Sequence, residues 1–177
     1  LAMRRRSVRW FLQKAVPREA VDRAIEIAAQ SPSACNRQPF QFRIIDEPKL
    51  LREVSRIPMG TSGYEDNIPM LIVIVGRLRN YMSERDRHLI YIDSSLAAMS
   101  LMFGLEVQEL SSCCINWPDI ESKERKMASL LKLSPDERPI MCLAVGYPDP
   151  TGLVAYSSKK PLQLLRRHNC EKPTADH

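Results

Sequence analysis

The chain has 177 residues, of which 44% are hydrophobic and 27% charged, and its net charge is +5. That length suits one domain with a sizeable core, and those proportions are ordinary for a soluble globular protein. The charge favours anionic ligands, but it is too modest and scattered to argue for nucleic acid; with only 6% aromatic residues, no base-stacking pattern stands out.

The longest apolar run, Met70–Gly76, is far too short to cross a bilayer. The first residues are basic, yet no long apolar region follows them as a signal peptide requires. The sequence opens at Leu1 rather than methionine, as expected of a fragment or a processed chain. Five cysteines, at 35, 113, 114, 142 and 170, make a poor disulfide framework, and the adjacent Cys113 and Cys114 lack zinc-ligand spacing. Buried or free thiols in a reducing cytoplasm are expected.

Near the start stands Arg4-Arg5-Arg6-Ser7-Val8-Arg9-Trp10-Phe11. Guanidinium forks and a hydroxyl can grip a phosphate. The same run also suits a solvated basic terminus or a nucleic-acid arm, although the apolar Val8, Trp10 and Phe11 would anchor it on a core. Pro17–Gln30 reads as a helix, with Val21, Ala24, Ile25 and Ala28 at helical spacing. Ser31–Phe42 follows, a connection in which Pro32 and Pro39 bracket Ser33, Ala34, Asn36 and Gln38. Prolines stiffen it, and amides offer both donors and acceptors, as the edge of a flat heteroaromatic ring requires. An ordinary helix-to-strand loop has the same composition.

Phe40, Phe42 and Ile44 alternate with polar residues and predict a half-buried strand; Pro48–Arg56 predicts a short helix. Pro58–Asn67 is loop-like, and Met70–Gly76 predicts a central strand covered on both faces. Arg77–His88 reads as a solvated connection. Ile90–Leu110 is the longest helical stretch, carrying Ile92, Leu96, Met99, Phe103 and Val107 with small residues between. Ser112–Asn116 and Ile140–Val145 predict strands, Pro118–Leu131 a helix, and Asp149–His177 a polar tail without clear periodicity. The alternation of strands and helices fits a doubly wound sheet. No G-x-G-x-x-G turn follows any strand, however, and there is no nucleophile elbow, P-loop or zinc motif.

Together, RRSVRWF from Arg5 and PSACNRQPF from Pro32 resemble paired motifs of the nitroreductase family of FMN oxidoreductases. The similarity extends more weakly to Arg138–Pro148 and to the Lys-Lys-Pro-Leu at Lys159. The resemblance implies an α+β fold: an α-β-α sandwich on a mixed, mainly antiparallel sheet. It also implies a homodimer. Residues 1–150 would form the flavin-binding domain, and 151–177 an extension reaching the partner subunit. The long helix would pack against its copy.

By the same resemblance, Arg5, Arg6 and Ser7 hold the phosphate and ribitol chain. Arg9 lies near the pyrimidine end of the ring. Pro32, Ser33, Ala34 and Asn36 reach the flavin from the opposite subunit. Ile115, Asn116 and Trp117 direct backbone donors toward the reactive ring nitrogen, and Lys159 and Lys160 complete the phosphate grip. Tyr64 would border a substrate pocket.

The implied activity is reduction of electron-poor acceptors, nitroaromatics or quinones, with NADH or NADPH as donor. The rivals are a pathway-specific reaction (dehalogenation, flavin cleavage, modification of a biosynthetic intermediate) and a degenerate relative that only binds anions. Three departures stand out. Gln108–Ser112 replaces a glycine-rich turn, the amino-terminal helix before the arginines has no counterpart, and the segment after Gly76 is brief, leaving an open pocket.

Overall fold

A computed structural model describes residues 1–169. Four strands, β1 (Phe40–Ile45), β2 (Met70–Arg77), β3 (Ser111–Asn116) and β4 (Glu137–Gly146), form one sheet in the order β1-β2-β4-β3. All three neighbouring pairs run antiparallel. The parallel component is an isolated bridge between Ser7 and Ser112. Helices α1 (Arg18–Ala28), α2 (Pro48–Ser55), α3 (Leu89–Val107) and α4 (Glu121–Leu131) cover the sheet, and a single turn, α5 (Leu162–Leu165), follows.

The side-chain period of two sorts each strand between two cores. Leu71, Val73, Val75, Cys142 and Ala144 meet α2 through Leu51 and Val54 and α4 through Met127. On the other face, Met70, Ile72, Ile74, Leu143 and Val145 meet α1 through Val21 and Ala24, and α3 through Ala98, Leu101 and Leu105. This is the expected α-β-α sandwich, and it explains why Met70–Val75 is buried throughout. The strand β4 begins earlier than its apolar run suggests. Its pairing with β3 reaches only Met141, so Pro139 sits where β4 has outrun that neighbour, beside a register irregularity at Ile74/Val75.

Helix α3 decides much of the geometry around it. Its Gly104 lies so close to α1 that a β-carbon there would stand 2.9 Å from the Ala24 backbone. Length and composition would allow Glu84–Val107 to cross a membrane, but more than half of its most apolar 18 residues are buried in the protein. Its outer side leaves an apolar stripe in solvent: Ile92, Leu96 and Met99 are exposed and Phe103 is half-buried.

The helix ends in a left-handed residue, Glu109, at φ 60°. The Leu110 amide donates to Leu105 O (3.0 Å) and the Glu109 amide to Glu106 O (3.3 Å), while Leu105 and Leu110 both enter the core. That is a Schellman cap, a turn normally made with glycine. The glycine-poor Gln108–Ser112 segment therefore still makes the turn.

Residues 151–161 carry no helix or strand. Leu153 and Tyr156 there are at least 90% exposed. Cys170 and the end of the 151–177 extension lie outside the described residues.

Candidate functional site

The amino-terminal segment is held as a seam between the sheet edge and the chain leaving β4. Ser7 bridges Ser112 of β3, and the Val8 amide donates to Ser112 O at 3.1 Å. Further on, the Leu12 amide donates to Tyr147 O (2.9 Å) and the Asp149 amide to Trp10 O (3.0 Å). Phe11 is buried at 2% exposure, and its backbone N–H donates to Asn67 Oδ1 at 2.6 Å. Gly146 is needed beneath it, because a β-carbon would stand 2.9 Å from the Phe11 ring. Val8 and Phe11 thus anchor the segment as their apolar character requires; Trp10 instead lies outside, 44% exposed, with Gly152 against it.

This seam brings two distant parts of the sequence together. After Gly152 the chain turns back along the arginines, and a cavity of about 280 Å³ opens between them. Its lining includes Arg5, Arg6, Ser7 and Arg9 from the start of the chain, and Ala155, Tyr156, Ser157 and Lys159 from its later part. Five of the expected cofactor residues therefore share one concavity. Lys160 is exposed and is not part of that lining.

Not every arginine points the same way. Arg4 leaves the group: its guanidinium donates to Glu106 O at 2.8 Å and pairs with the Glu106 carboxylate at 3.4 Å, covering the carboxyl end of α3. Arg6 curls onto its own segment, donating to Met3 O (2.7 Å) and Arg5 O (2.9 Å). Arg9 stands 5.9 Å from the centre of the Tyr64 ring. Tyr64 is 7% exposed and belongs to the core, with its hydroxyl 4.0 Å from Cys113 Sγ, and its outer side joins Trp10 and Gly63 in lining an open concavity separate from the arginine cavity. Burial, and then Cys113, push its hydroxyl pKa up, keeping it protonated.

The edge strand β3 continues past the seam. Ile115 and Trp117 are buried, and Trp117 Nε1 donates to Glu124 Oε1 at 2.6 Å. Their side chains are thus committed to the core. Asn116 and Cys114 are exposed on the opposite face. Among Ile115, Asn116 and Trp117, only the Asn116 side chain and the backbone remain to meet a ligand. Cys114 Sγ lies 3.6 Å from Met141 Sδ, so its sulfur is half covered although the residue is exposed. Burial raises its thiol pKa, with Cys113 adding and Arg5 opposing.

The Pro32–Asn36 stretch is elsewhere. It leads into Phe40, which pairs with Gly76, whose β4 partner is Arg138; Ser112, beside Ser7, pairs with Val145. The loop and the arginines therefore occupy opposite edges and opposite ends of the sheet. Three strand spacings and seven residues of rise separate them by about 14 Å across and about 23 Å along. Within one chain they do not meet.

The sequence model of the Nitroreductase family matches residues 2–147. This chain belongs to that family. Among its relatives, Iodotyrosine deiodinase 1 of Pongo abelii is 24% identical over 193 residues, covering 93% of this chain and 66% of that protein. The chain thus spans just under two thirds of that relative's length. Iodotyrosine deiodinase of Thermotoga neapolitana is 26% identical over 172 residues, covering 84% of this chain and 87% of the relative. An FMN-dependent nitroreductase of Clostridium difficile R20291 shares the fold with a TM-score of 0.78 at 20% identity, covering 96% of each chain.

For a nitroreductase-family chain, some residues that shape this region escaped a sequence reading. Tyr156 and Ser157 line the cavity, yet they sit in a tail without periodicity. Asp93, on α3, is 3% exposed and accepts the Ala34 amide (3.1 Å) and the Tyr81 hydroxyl. An acid on the inner side of an apolar helix was its only sequence signal. Among the described residues no cluster of His, Cys, Asp or Glu is suited to a metal ion.

Proposed function

We propose that the protein is an FMN-dependent oxidoreductase that takes a hydride from NADH or NADPH and reduces electron-poor acceptors such as nitroaromatics or quinones. The observation that carries this reading is the meeting of Arg5, Arg6, Ser7 and Arg9 with Lys159 around one cavity. Cations and a hydroxyl are the donor set that a phosphate monoester requires. The cavity's volume of about 280 Å³ suits a phosphate with a sugar-alcohol chain, which Arg5, Ser7 and Lys159 would hold. Bound FMN would supply the two-electron chemistry.

The chain's own groups supply position and charge. Arg5, Ser7 and Lys159 neutralise and orient the phosphate. Arg9 places positive charge toward the ring. The β3 edge beyond the seam offers unpaired backbone donors, and Asn116 adds an amide. Pro32, Ser33, Ala34 and Asn36 are too far away to act on their own chain's cavity, so in this reading they complete the site of a second subunit. The exposed α3 stripe at Ile92, Leu96 and Met99 supports a homodimer. With one cavity serving donor and acceptor in turn, the kinetics are ping-pong. Free thiols at Cys35 and Cys114 fit a reducing, cytoplasmic setting.

A second reading, reductive dehalogenation or another dedicated step, is favoured by relatives named iodotyrosine deiodinase. Against a dedicated substrate, the segment between α2 and β2 has no helix beyond the short turn Glu65–Asn67, so it offers little to fold over one.

The test is an absorbance spectrum of the purified, FMN-reconstituted protein, before and after NADH or NADPH under argon. A flavin band that bleaches with nicotinamide and returns with a quinone is expected. Loss of one charge-assisted contact in Arg5→Ala or Lys159→Ala should cost about 1.5–3 kcal/mol, or roughly ten- to hundred-fold in FMN affinity, and spare riboflavin. A colourless reconstituted protein refutes the reading.

A further inference from the structure

The Ser33–Gln38 loop is held in a conformation that its own sequence disfavours. Cys35, Asn36 and Gln38 have φ of 51°, 53° and 45°, in the left-handed region, and none is glycine. Such backbone persists only where surrounding contacts over-determine it.

Part of that hold is local, through the Gln38 amide donating to Ser33 Oγ at 3.0 Å, and the rest centres on Asp93. Asp93 Oδ2 accepts the Ala34 amide at 3.1 Å and also the Tyr81 hydroxyl. The carboxyl group is almost fully buried, at 3% exposure. Burial, and then Asp93 itself, raise the Tyr81 pKa, so that hydroxyl stays a donor. Tyr81 in turn carries the Arg37 guanidinium, 5.8 Å from its ring centre. Beside it, Arg37 donates to Asn80 O (2.8 Å), and Asn80 Nδ2 donates back to Arg37 O (2.7 Å). A buried acid facing two donors is a strong, directional anchor. Here it fixes the left-handed stretch at its start directly and at its Arg37 end through Tyr81. The side chains so presented, Asn36 and Gln38, are exposed and bonded to each other at 3.0 Å.

We infer that Asp93 is the positioning residue that presets the Ser33–Gln38 loop for the flavin site of the partner subunit. The inference rests on the reading under Proposed function. It adds that a residue with no contact to its own cavity governs cofactor affinity in the neighbouring subunit.

The experiment uses the full chain titrated with FMN, followed by flavin fluorescence. Asp93→Ala is expected to weaken FMN binding at least ten-fold. Asp93→Asn, which keeps an oxygen for the Ala34 amide, should stay within about three-fold of wild type. Tyr81→Phe gives a milder loss and serves if Asp93→Ala does not fold. The deciding measurement uses mixed dimers, co-expressed with two tags and purified over both. One subunit carries Arg5→Ala with Arg6→Ala, and the other Asp93→Ala or Tyr81→Phe. Action in trans leaves one undamaged site, so one FMN per dimer binds with wild-type affinity. A mixed dimer with no wild-type site overturns the inference, because the anchor then acts in its own subunit or only through overall stability. Wild-type protein that binds no FMN overturns the flavin reading itself, and the inference with it.

Discussion

Replacing Glu109 with glycine should stabilise the protein. Glu109 sits at φ 60° in the Schellman turn that ends α3. A residue with a β-carbon pays about 1–2 kcal/mol for the left-handed region. Glycine removes that cost, but its unfolded chain is freer, which returns about 0.4–1 kcal/mol. An acid beside the carboxyl end of a helix also opposes the macrodipole, so its removal contributes about 0.3 kcal/mol. The net gain is about 1 kcal/mol, a rise in Tm of about 2–4 °C for a chain of this size. Thermal unfolding of E109G and wild type at matched protein concentration measures it. E109A is the control: it removes the charge and keeps the β-carbon, so it should gain only a few tenths of a kcal/mol. If E109G unfolds at or below the wild-type temperature, or E109A matches it, backbone strain at this turn is not the cause.

Two further outcomes are expected. Leu96→Glu, in the middle of the exposed α3 stripe, should turn a dimer into a monomer by light scattering; a monomeric wild type at micromolar concentration would refute the assignment of that stripe. In a C35S/C170S background, Cys114 should react with iodoacetamide more slowly than an ordinary thiol at neutral pH. The raised pKa depletes its thiolate, so the rate climbs roughly tenfold per pH unit until that pKa is passed. Cys142, fully buried and pushed up to about 12, should stay silent in native protein. Fast labelling of Cys114 at pH 7 would contradict its half-covered position against Met141.

Residues with one dominant physical demand were legible in the sequence. Met70–Val75 could only be a strand covered on both faces, and Val21, Ala24 and Ala28 could only face inward. Arg5, Arg6, Ser7, Arg9 and Lys159 were found through a family motif, and the fold places them around one cavity. Positions defined by three-dimensional contact were not legible. Tyr64 looked like a loop residue until the seam carried Arg9 and β3 against it. Glu109 hid a turn that sequence associates with glycine, because hydrogen bonds and the Leu105–Leu110 contact impose it from outside. Asp93 shows in sequence only as an acid within an apolar helix, because its partner is a loop some sixty positions earlier.

The seam that joins the first arginines to the stretch around Lys159 has a consequence for biosynthesis. On a ribosome the basic segment emerges before any strand of the sheet, while its counterpart arrives only after the whole sheet has been made. Until then the guanidinium groups stand open to any anion nearby, and no selective cradle exists. In the proposed flavin reading, cofactor capture would thus report a completed sheet: a chain cut before Lys159 would retain the sandwich and lose part of the cradle.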